Sequence, residues 1–190
     1  EILDMITSCA NGKVKQVVLW QTKAKERRKD GVFLAEGFKM YEEAPESRIV
    51  EVYLSEGAEQ KAQDNTLIWK KLKQTGYETV SQEVFERMSD TQTPQGILTV
   101  LRQQKYDLKT MLESPNLLLV VLENLQDPGN LGTIIRTGEG AGITGVIMSG
   151  NTVDIFNPKT IRSSMGSIYR VPFVYVEDMN ETLSCLHKCG

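Results

Sequence analysis

The sequence predicts an α/β protein built from two successive domains that are joined by a polar segment. Helical and strand-like segments alternate through the first half of the chain, and a polar, poorly periodic stretch follows over residues 103–115. The second half begins with an apolar run, Leu117 to Leu122, which a helical pattern and a further strand follow. We therefore predict a first domain over 1–102, a linker over 103–115 and a second domain over 116–190.

The first domain is predicted to be an α/β/α sandwich. Val14, Val17 and Val18 recur at helical spacing, whereas apolar and polar residues alternate over 49–54, as in a strand with one buried face. In chain order, we predict a helix over 14–25, a strand over 32–35, a helix that ends at 44, a strand over 49–54, a helix over 59–73, a strand over 77–80, a helix over 82–88 and a strand over 96–101.

The second domain is predicted to contain a parallel sheet. The run from Leu117 to Leu122 is too apolar for a strand with one wet face, so it should lie in mid-sheet and be covered on both faces. A polar loop over 123–130 leads into a predicted helix over 131–141 and a strand over 145–148, which complete a βαβ unit. The remaining predicted elements are a helix over 157–164, a strand over 171–176 and a helix over 179–188.

The composition is that of an ordinary globular protein. Hydrophobic residues make up 40% of the chain and charged residues 25%. The longest apolar run is far shorter than the roughly 20 residues that a spanning helix needs, so we expect no membrane partner. Three cysteines are few and odd in number, which suits a reducing compartment and a cytoplasmic location.

Positive charge is concentrated near the N-terminus, although the net charge of the chain is −3. Between Asn11 and Lys29 there is a single acid, Glu26. This basic stretch is either a solvated helix face or a contact surface for a phosphate backbone, and both interpretations stay open. Its cations are Lys13, Lys15, Lys23, Lys25, Arg27, Arg28 and Lys29.

The loop over 123–130 is a candidate ligand site because it joins the carboxyl end of a predicted strand to the start of a helix. Ligands bind at this edge of open parallel sheets, and the free N–H groups of a helix N-terminus favour an anion. A dinucleotide site is not predicted, because the glycine-rich stretch over 138–142 lies at the end of the helix rather than between strand and helix. An ordinary connecting loop is the alternative.

Isolated cations in the second domain have two interpretations. Arg136 lies six residues after Asn130 on the predicted helix, and it is either a surface arginine or a cation aimed at a phosphate or a developing oxyanion. Arg162, together with Lys159 and Arg170, either contacts RNA or is simply exposed.

A metal site is not predicted. Cys185, His187 and Cys189 lie close together, but a structural zinc site needs four ligands, and the remaining cysteine, Cys9, is in the other domain. His187 is the only histidine, which leaves little for Ser–His or Cys–His catalysis.

The run from Leu122 to Thr137 resembles the first signature motif of the SpoU/TrmH RNA ribose 2′-O-methyltransferases of the SPOUT superfamily. That motif combines Asp-Pro-x-Asn-Leu-Gly, here Asp127 to Gly132, with an arginine six positions past the asparagine, here Arg136. Segments over 161–167 and 170–173 resemble the stretch between the family's first two motifs, and pieces over 6–8, 11–15, 33–37 and 93–97 resemble its substrate-binding domain.

The resemblance implies a fold and an activity. The first domain would be an α/β/α module like some ribosomal RNA-binding proteins, and the second would be the first half of a parallel-sheet trefoil-knot methyltransferase domain. The implied reaction transfers a methyl group from S-adenosylmethionine to a ribose 2′-hydroxyl of ribosomal or transfer RNA, with Asn130 and Arg136 in catalytic roles. The whole protein would be a homodimer. The RNA-binding residues that we predict are Lys13, Lys15, Arg27, Arg28 and Arg162.

One departure from the family pattern changes what we expect of this chain. The segments with which family members close the knot around the cofactor do not occur before Gly190. We therefore expect the cofactor site beyond Gly190, no methylation by these residues alone, and a strand over 117–122 that is less covered than its composition demands. Two alternatives stay open: a non-catalytic RNA-binding protein, and an α/β enzyme of another class, such as a nucleotide-dependent oxidoreductase, which the misplaced glycines disfavour.

Overall fold

The structure is a computed structural model that describes residues 5–188, and it confirms the α/β class. The first part contains α1 (Gly12–Thr22), α2 (Ala24–Asp30), β1 (Val32–Glu36), α3 (Phe38–Glu43), β2 (Ile49–Ser55), α4 (Glu59–Gln63), α5 (Thr66–Thr75), β3 (Glu78–Val80), α6 (Gln82–Met88) and β4 (Ile97–Arg102). The second part contains α7 (Leu108–Met111), β5 (Leu119–Leu122), α8 (Pro128–Gly140), β6 (Gly145–Ser149), α9 (Pro158–Ser164), β7 (Phe173–Val176) and α10 (Met179–Lys188).

The first sheet has the strand order β1-β4-β2-β3 and confirms the predicted sandwich. Strand β4 pairs antiparallel with β1 and β2, and β3 pairs parallel with β2. Helices α1 and α6 cover one face, where Val17 and Phe85 pack on Tyr53 and Leu98. Helices α3, α4 and α5 cover the other face. This arrangement places the start of the basic stretch on one outer layer of the sandwich.

The helix predicted over 14–25 is interrupted, so the prediction of one continuous helix is wrong. Lys23 is extended, with φ −125° and ψ 107°, and separates α1 from α2. The helix predicted over 59–73 is likewise two helices, because the Asn65 side chain accepts hydrogen bonds from the N–H groups of Leu67 and Ile68 and starts α5. Both breaks depend on the backbone conformation of one or two residues, which the spacing of apolar residues does not predict.

The second sheet is parallel, as predicted, with the order β5-β6-β7 among the described residues. Strand β6 is central and its residues are all buried. The placement of the run 117–122 in mid-sheet is wrong for this part of the chain, because β5 lies at the edge of the sheet. Leu118 is 50% exposed and Val121 is 38% exposed, so the strand is less covered than its composition demands, as we also expected.

The segment over 103–115 is packed against both sheets. The Gln103 side chain donates to the carbonyl oxygen of Val32 over 2.8 Å. Asp107 caps α7, and Met111 in that helix is buried against Ile147 of β6. The segment is therefore structured and contains the short helix α7, which we did not predict, while the linker bounds and the domain boundaries stay a prediction.

One hydrophobic cluster contains residues of both sheets. Phe33 and Met40 from the first part pack in the same cluster as Leu131 and Tyr169 from the second. The Tyr169 hydroxyl donates to the Met40 carbonyl oxygen over 2.9 Å. Because apolar side chains from both parts are buried together, the first sheet and its helices hold a defined position against α8 and α9.

Helix α8 approaches α9 so closely that only glycine fits at position 132. A Cβ atom on Gly132 would lie 2.4 Å from the Thr160 carbonyl oxygen and 2.5 Å from the Ser163 hydroxyl oxygen. This contact sets the position of α8, the helix that carries Asn130 and Arg136.

No helix among residues 5–188 is long and apolar enough to cross a bilayer.

Candidate active site

Helix α8 begins three residues earlier than predicted, so Asn130 lies in its first turn and not in the loop. The Asp127 side chain caps the helix by accepting from the Asn130 N–H over 2.6 Å. Pro128 occupies the first helical position, where its missing N–H costs no hydrogen bond. The motif from Asp127 to Gly132 is therefore a helix start, with its amide groups at the carboxyl edge of β5.

Asn130 and Arg136 are both exposed on the outer side of α8. The same side carries Thr133 and Thr137, whereas Leu131 and other residues of the opposite side are buried. Six residues of helix separate Asn130 from Arg136 by roughly 9 Å along the axis and about 120° around it. The structure therefore places both residues on one accessible surface without bringing them into contact, and a substrate group would have to lie between them.

The loop that precedes α8 is tied to the loop after β6. Asn124 has a left-handed backbone, with φ 54°, and its N–H donates to the Ser149 hydroxyl oxygen over 2.8 Å. The Gln126 amide donates to the carbonyl oxygens of Asn124 and Asn151, over 3.1 and 2.7 Å. We did not predict roles for Gln126 and Ser149, although the motif includes Gln126. Together these bonds hold the loop over 123–127 in one conformation beside the helix start.

Lys159 adds a positive charge beside the start of α8. Its amino group lies 3.7 Å from the Asp127 carboxylate, and both side chains are about half exposed. Lys159 follows Asn157, whose side chain caps α9 by accepting from the Lys159 N–H. An exposed ion pair of this kind contributes little stability. Lys159 could therefore leave Asp127 and pair with a ligand anion with little loss of stability.

The Arg170 side chain joins α8 to the first part of the structure through ion pairs. Arg170 pairs with Glu139 of α8 and, over 2.9 Å, with Glu43. The hydrogen bond from Arg170 holds the pKa of Glu139 below its ordinary value, and a bond from Ser167 adds to this. Arg170 is therefore engaged with carboxylates within the protein, which favours a positioning role over an RNA contact.

Arg27 must be withdrawn from the predicted RNA contacts. It is only 3% exposed, and its guanidinium donates to Asp154 over 2.7 Å and to the carbonyl oxygen of Trp20 over 2.6 Å. A buried, paired arginine cannot reach a phosphate without breaking that pair. The sequence alone does not distinguish Arg27 from the neighbouring cations, because its partner Asp154 lies 127 residues further along the chain.

The remaining predicted RNA contacts are exposed but do not lie on one face. Lys13 pairs with Glu78 of β3, at the edge of the first sheet that is remote from β1. Lys15 and Arg28 are exposed and form no ion pair among residues 5–188. Arg162 lies in α9 and pairs with Asp90 over 3.0 Å.

The part of the chain that the structure describes contains no group of three or more potential metal ligands. Cys9 and Cys185 are exposed thiols, and Cys189 lies outside the described residues.

Comparison with known proteins identifies both halves of the chain. The profile of the SpoU rRNA Methylase family matches residues 117–190, and that of the MRM3-like substrate binding domain matches residues 11–99. The chain is 37% identical over 175 residues to the 23S rRNA (guanosine(2553)-2'-O)-methyltransferase RlmP of Bacillus subtilis, which covers 90% of this chain and 65% of that protein. It is 32% identical to an uncharacterised tRNA/rRNA methyltransferase of Synechocystis, covering 97% of this chain and 67% of that protein.

A solved structure gives the same result for the fold. The crystal structure of an AdoMet-bound rRNA methyltransferase from Sinorhizobium meliloti superposes with a TM-score of 0.79 at 26% identity, covering 98% of this chain and 69% of that one. The chain thus spans about two thirds of the length of these relatives. Both halves match, in the order that the relatives have, and the chain belongs to the SpoU rRNA methylase family.

Proposed function

We propose that this protein takes part in transferring a methyl group from S-adenosylmethionine to a ribose 2′-hydroxyl of RNA. The observation that carries the proposal is the exposed face of α8, where Asn130 and Arg136 follow a capped helix start at the carboxyl edge of a parallel sheet. The matched relatives support it, because the Bacillus protein is named for 2′-O-methylation of 23S rRNA. Ribosomal RNA is the substrate class that this relative favours, and transfer RNA is the alternative.

Arg136 is proposed to stabilise negative charge rather than to remove a proton. The ribose hydroxyl is a poor nucleophile while protonated, and arginine stays charged because its pKa is above about 12. A fixed guanidinium beside the 2′-oxygen and the adjacent phosphate favours the alkoxide-like transition state, with phosphate or water accepting the proton. Asn130, exposed in the first turn, is proposed to hold the ribose.

The exposed face of α8 does not by itself enclose the methyl donor. Asn130, Thr133, Arg136 and Thr137 form one exposed helix face, whereas a site for a molecule of this size buries most of its surface, roughly 70–90%. We propose no cofactor-binding residue on this face. The whole protein is proposed to act as a cytoplasmic homodimer.

Replacing Arg136 by alanine is expected to lower the turnover rate of the whole protein by at least about tenfold, because a charge that stabilises the transition state contributes on the order of 1.4 kcal/mol or more. Methyl incorporation into RNA under single-turnover conditions measures the effect. Thr137→Ala, one residue further on the same exposed face, is the matched control and should retain most of the turnover.

Two results would contradict this role. Near-normal turnover by Arg136→Ala would remove Arg136 from the mechanism. RNA binding without any methylation by the unmodified protein would favour the alternative of a non-catalytic RNA-binding protein.

The chain of residues 1–190 is expected to bind S-adenosylmethionine with no measurable affinity in calorimetric titration, because its site face is open to solvent. The titration needs a positive control, and the Sinorhizobium relative, whose crystal structure contains AdoMet, provides one. Micromolar binding by residues 1–190 would show that the cofactor site lies within them, and our assignment would then be wrong.

A further inference from the structure

A groove that is separate from the exposed face of α8 lies between the connecting segment and the second sheet. Its volume is about 690 Å³, within the range of small-molecule sites. One wall is residues 103–108, the other is strand β7 with the segment 150–156 that follows β6, and Arg28 of α2 contributes to the lining. The groove therefore begins at the end of the basic stretch and leads to the sheet edge where the α8 loop also lies.

Two cations in the groove have no carboxylate partner among residues 5–188. Arg28 and Lys105 are exposed and form no ion pair among residues 5–188. The two acids in the lining are both engaged: Asp154 pairs with the buried Arg27, and Asp107 accepts from the N–H and hydroxyl of Thr110 at the start of α7. Those hydrogen bonds from Thr110 lower the pKa of Asp107, so its carboxylate stays ionised and bound to the start of α7. An anion entering the groove would meet two unpaired cations.

Aromatic rings line the groove beside these cations. Tyr175 is 39% exposed, and its ring is held in place because the hydroxyl donates to the Val153 carbonyl oxygen over 2.7 Å and accepts from the Ile155 N–H over 2.9 Å. Tyr106 contacts Phe173 edge to face, with ring centroids 5.2 Å apart. A fixed, partly exposed ring offers a flat apolar surface, on which a nucleobase stacks with little loss of side-chain entropy.

We propose that this groove binds a single-stranded nucleotide segment of the RNA substrate, with Arg28 and Lys105 on the phosphates and the Tyr175 ring against a base. Unpaired cations next to an immobilised aromatic ring fit a nucleotide better than an acidic peptide, which would use the charges but not the ring. The inference rests on the proposed function, since it gives that RNA a path from α2 towards the sheet edge that carries Asn130.

Binding of a labelled single-stranded oligoribonucleotide of about 10 nucleotides to the 190-residue chain tests the proposal by fluorescence anisotropy. Arg28→Glu and Lys105→Glu should each weaken binding about tenfold or more, because each reverses a charge that contacts a phosphate. Lys29→Glu and Lys109→Glu are the matched controls: they make the same charge change at exposed positions outside the groove, and should weaken binding less than about threefold.

The role of the ring is tested separately. Tyr175→Leu should weaken binding and reduce the fluorescence quenching of a 2-aminopurine base, whereas Tyr175→Phe retains the ring and should preserve the quenching. If Tyr175→Leu fails to fold, the charge-reversal pairs decide the question alone.

Equal losses for Arg28→Glu and Lys29→Glu, or for Lys105→Glu and Lys109→Glu, would overturn the groove as a specific site, as would absence of RNA binding by the unmodified chain. Neither result bears on the Arg136 test, which measures methyl transfer. Conversely, a loss of RNA affinity confined to the groove variants would support the groove as an RNA site even if the whole protein transferred no methyl group.

Discussion

Replacing Arg27 by methionine is expected to lower the free energy of unfolding by about 3 kcal/mol, the lower end of the range for breaking a buried ion pair. The lower end applies because the partner, Asp154, is 16% exposed and partly hydrated. The substitution would leave that carboxylate without its cation beneath the first part of the structure. It would also remove hydrogen bonds to the carbonyl oxygens of Trp20 and Gln21 at the end of α1.

Urea unfolding followed by circular dichroism measures this loss, and a second substitution separates its causes. Asp154→Asn removes the charge but keeps an oxygen that can accept from the Phe156 N–H. Combined with Arg27→Met, it should recover part of the stability, because no buried charge is then left unpaired. Arg28→Met, at the exposed neighbouring position, should change stability by less than about 0.5 kcal/mol. A double variant no more stable than Arg27→Met alone would contradict the ion-pair explanation.

Replacing Gly132 by alanine is expected to destabilise the protein by about 2 kcal/mol, although alanine is intrinsically the better helix former. In an open helix position the same change would gain about 1 kcal/mol. Here the added Cβ would overlap the Thr160 carbonyl oxygen at 2.4 Å, and a backbone atom in the facing helix cannot move aside as a flexible side chain can. The overlap costs about 3 kcal/mol in an already packed interface, so the steric term exceeds the helix-propensity gain.

Gly140→Ala is the matched control, because it lies in the same helix and an added Cβ would meet nothing within 4 Å. It should raise the free energy of unfolding by up to about 1 kcal/mol, opposite in sign to Gly132→Ala. Since α8 also carries Arg136, the Gly132 variant should lose activity through displacement of that helix. Equal effects at the two positions would show that α8 and α9 are not in tight contact.

Local chemistry allowed much of the fold to be predicted from the sequence. Helix α6 has its predicted bounds, and α10 also agrees with its prediction, because apolar periodicity and caps act over a few residues. Asn130 and Arg136 became candidates through the resemblance to a family motif, which could be seen because that motif lies along one continuous segment.

Contacts between distant parts of the chain decided the rest. Arg27 looks like any cation of the basic stretch, and only its pairing with Asp154, 127 residues away, shows that it is buried. The apolar run from Leu117 to Leu122 predicts a strand, but the strands that pair with it are decided by the sheet as a whole.

The groove, too, is formed by residues that are distant along the chain. Arg28, Lys105 and Tyr175 are scattered over the sequence and meet only because the connecting segment packs between the two sheets. The sequence by itself therefore predicted the α/β class from short-range patterns, and the resemblance of one continuous motif predicted the family and the candidate residues Asn130 and Arg136. The tertiary structure alone decided which charges are buried, which strand lies at the edge and where the groove lies, since burial and pairing depend on residues that are remote along the chain.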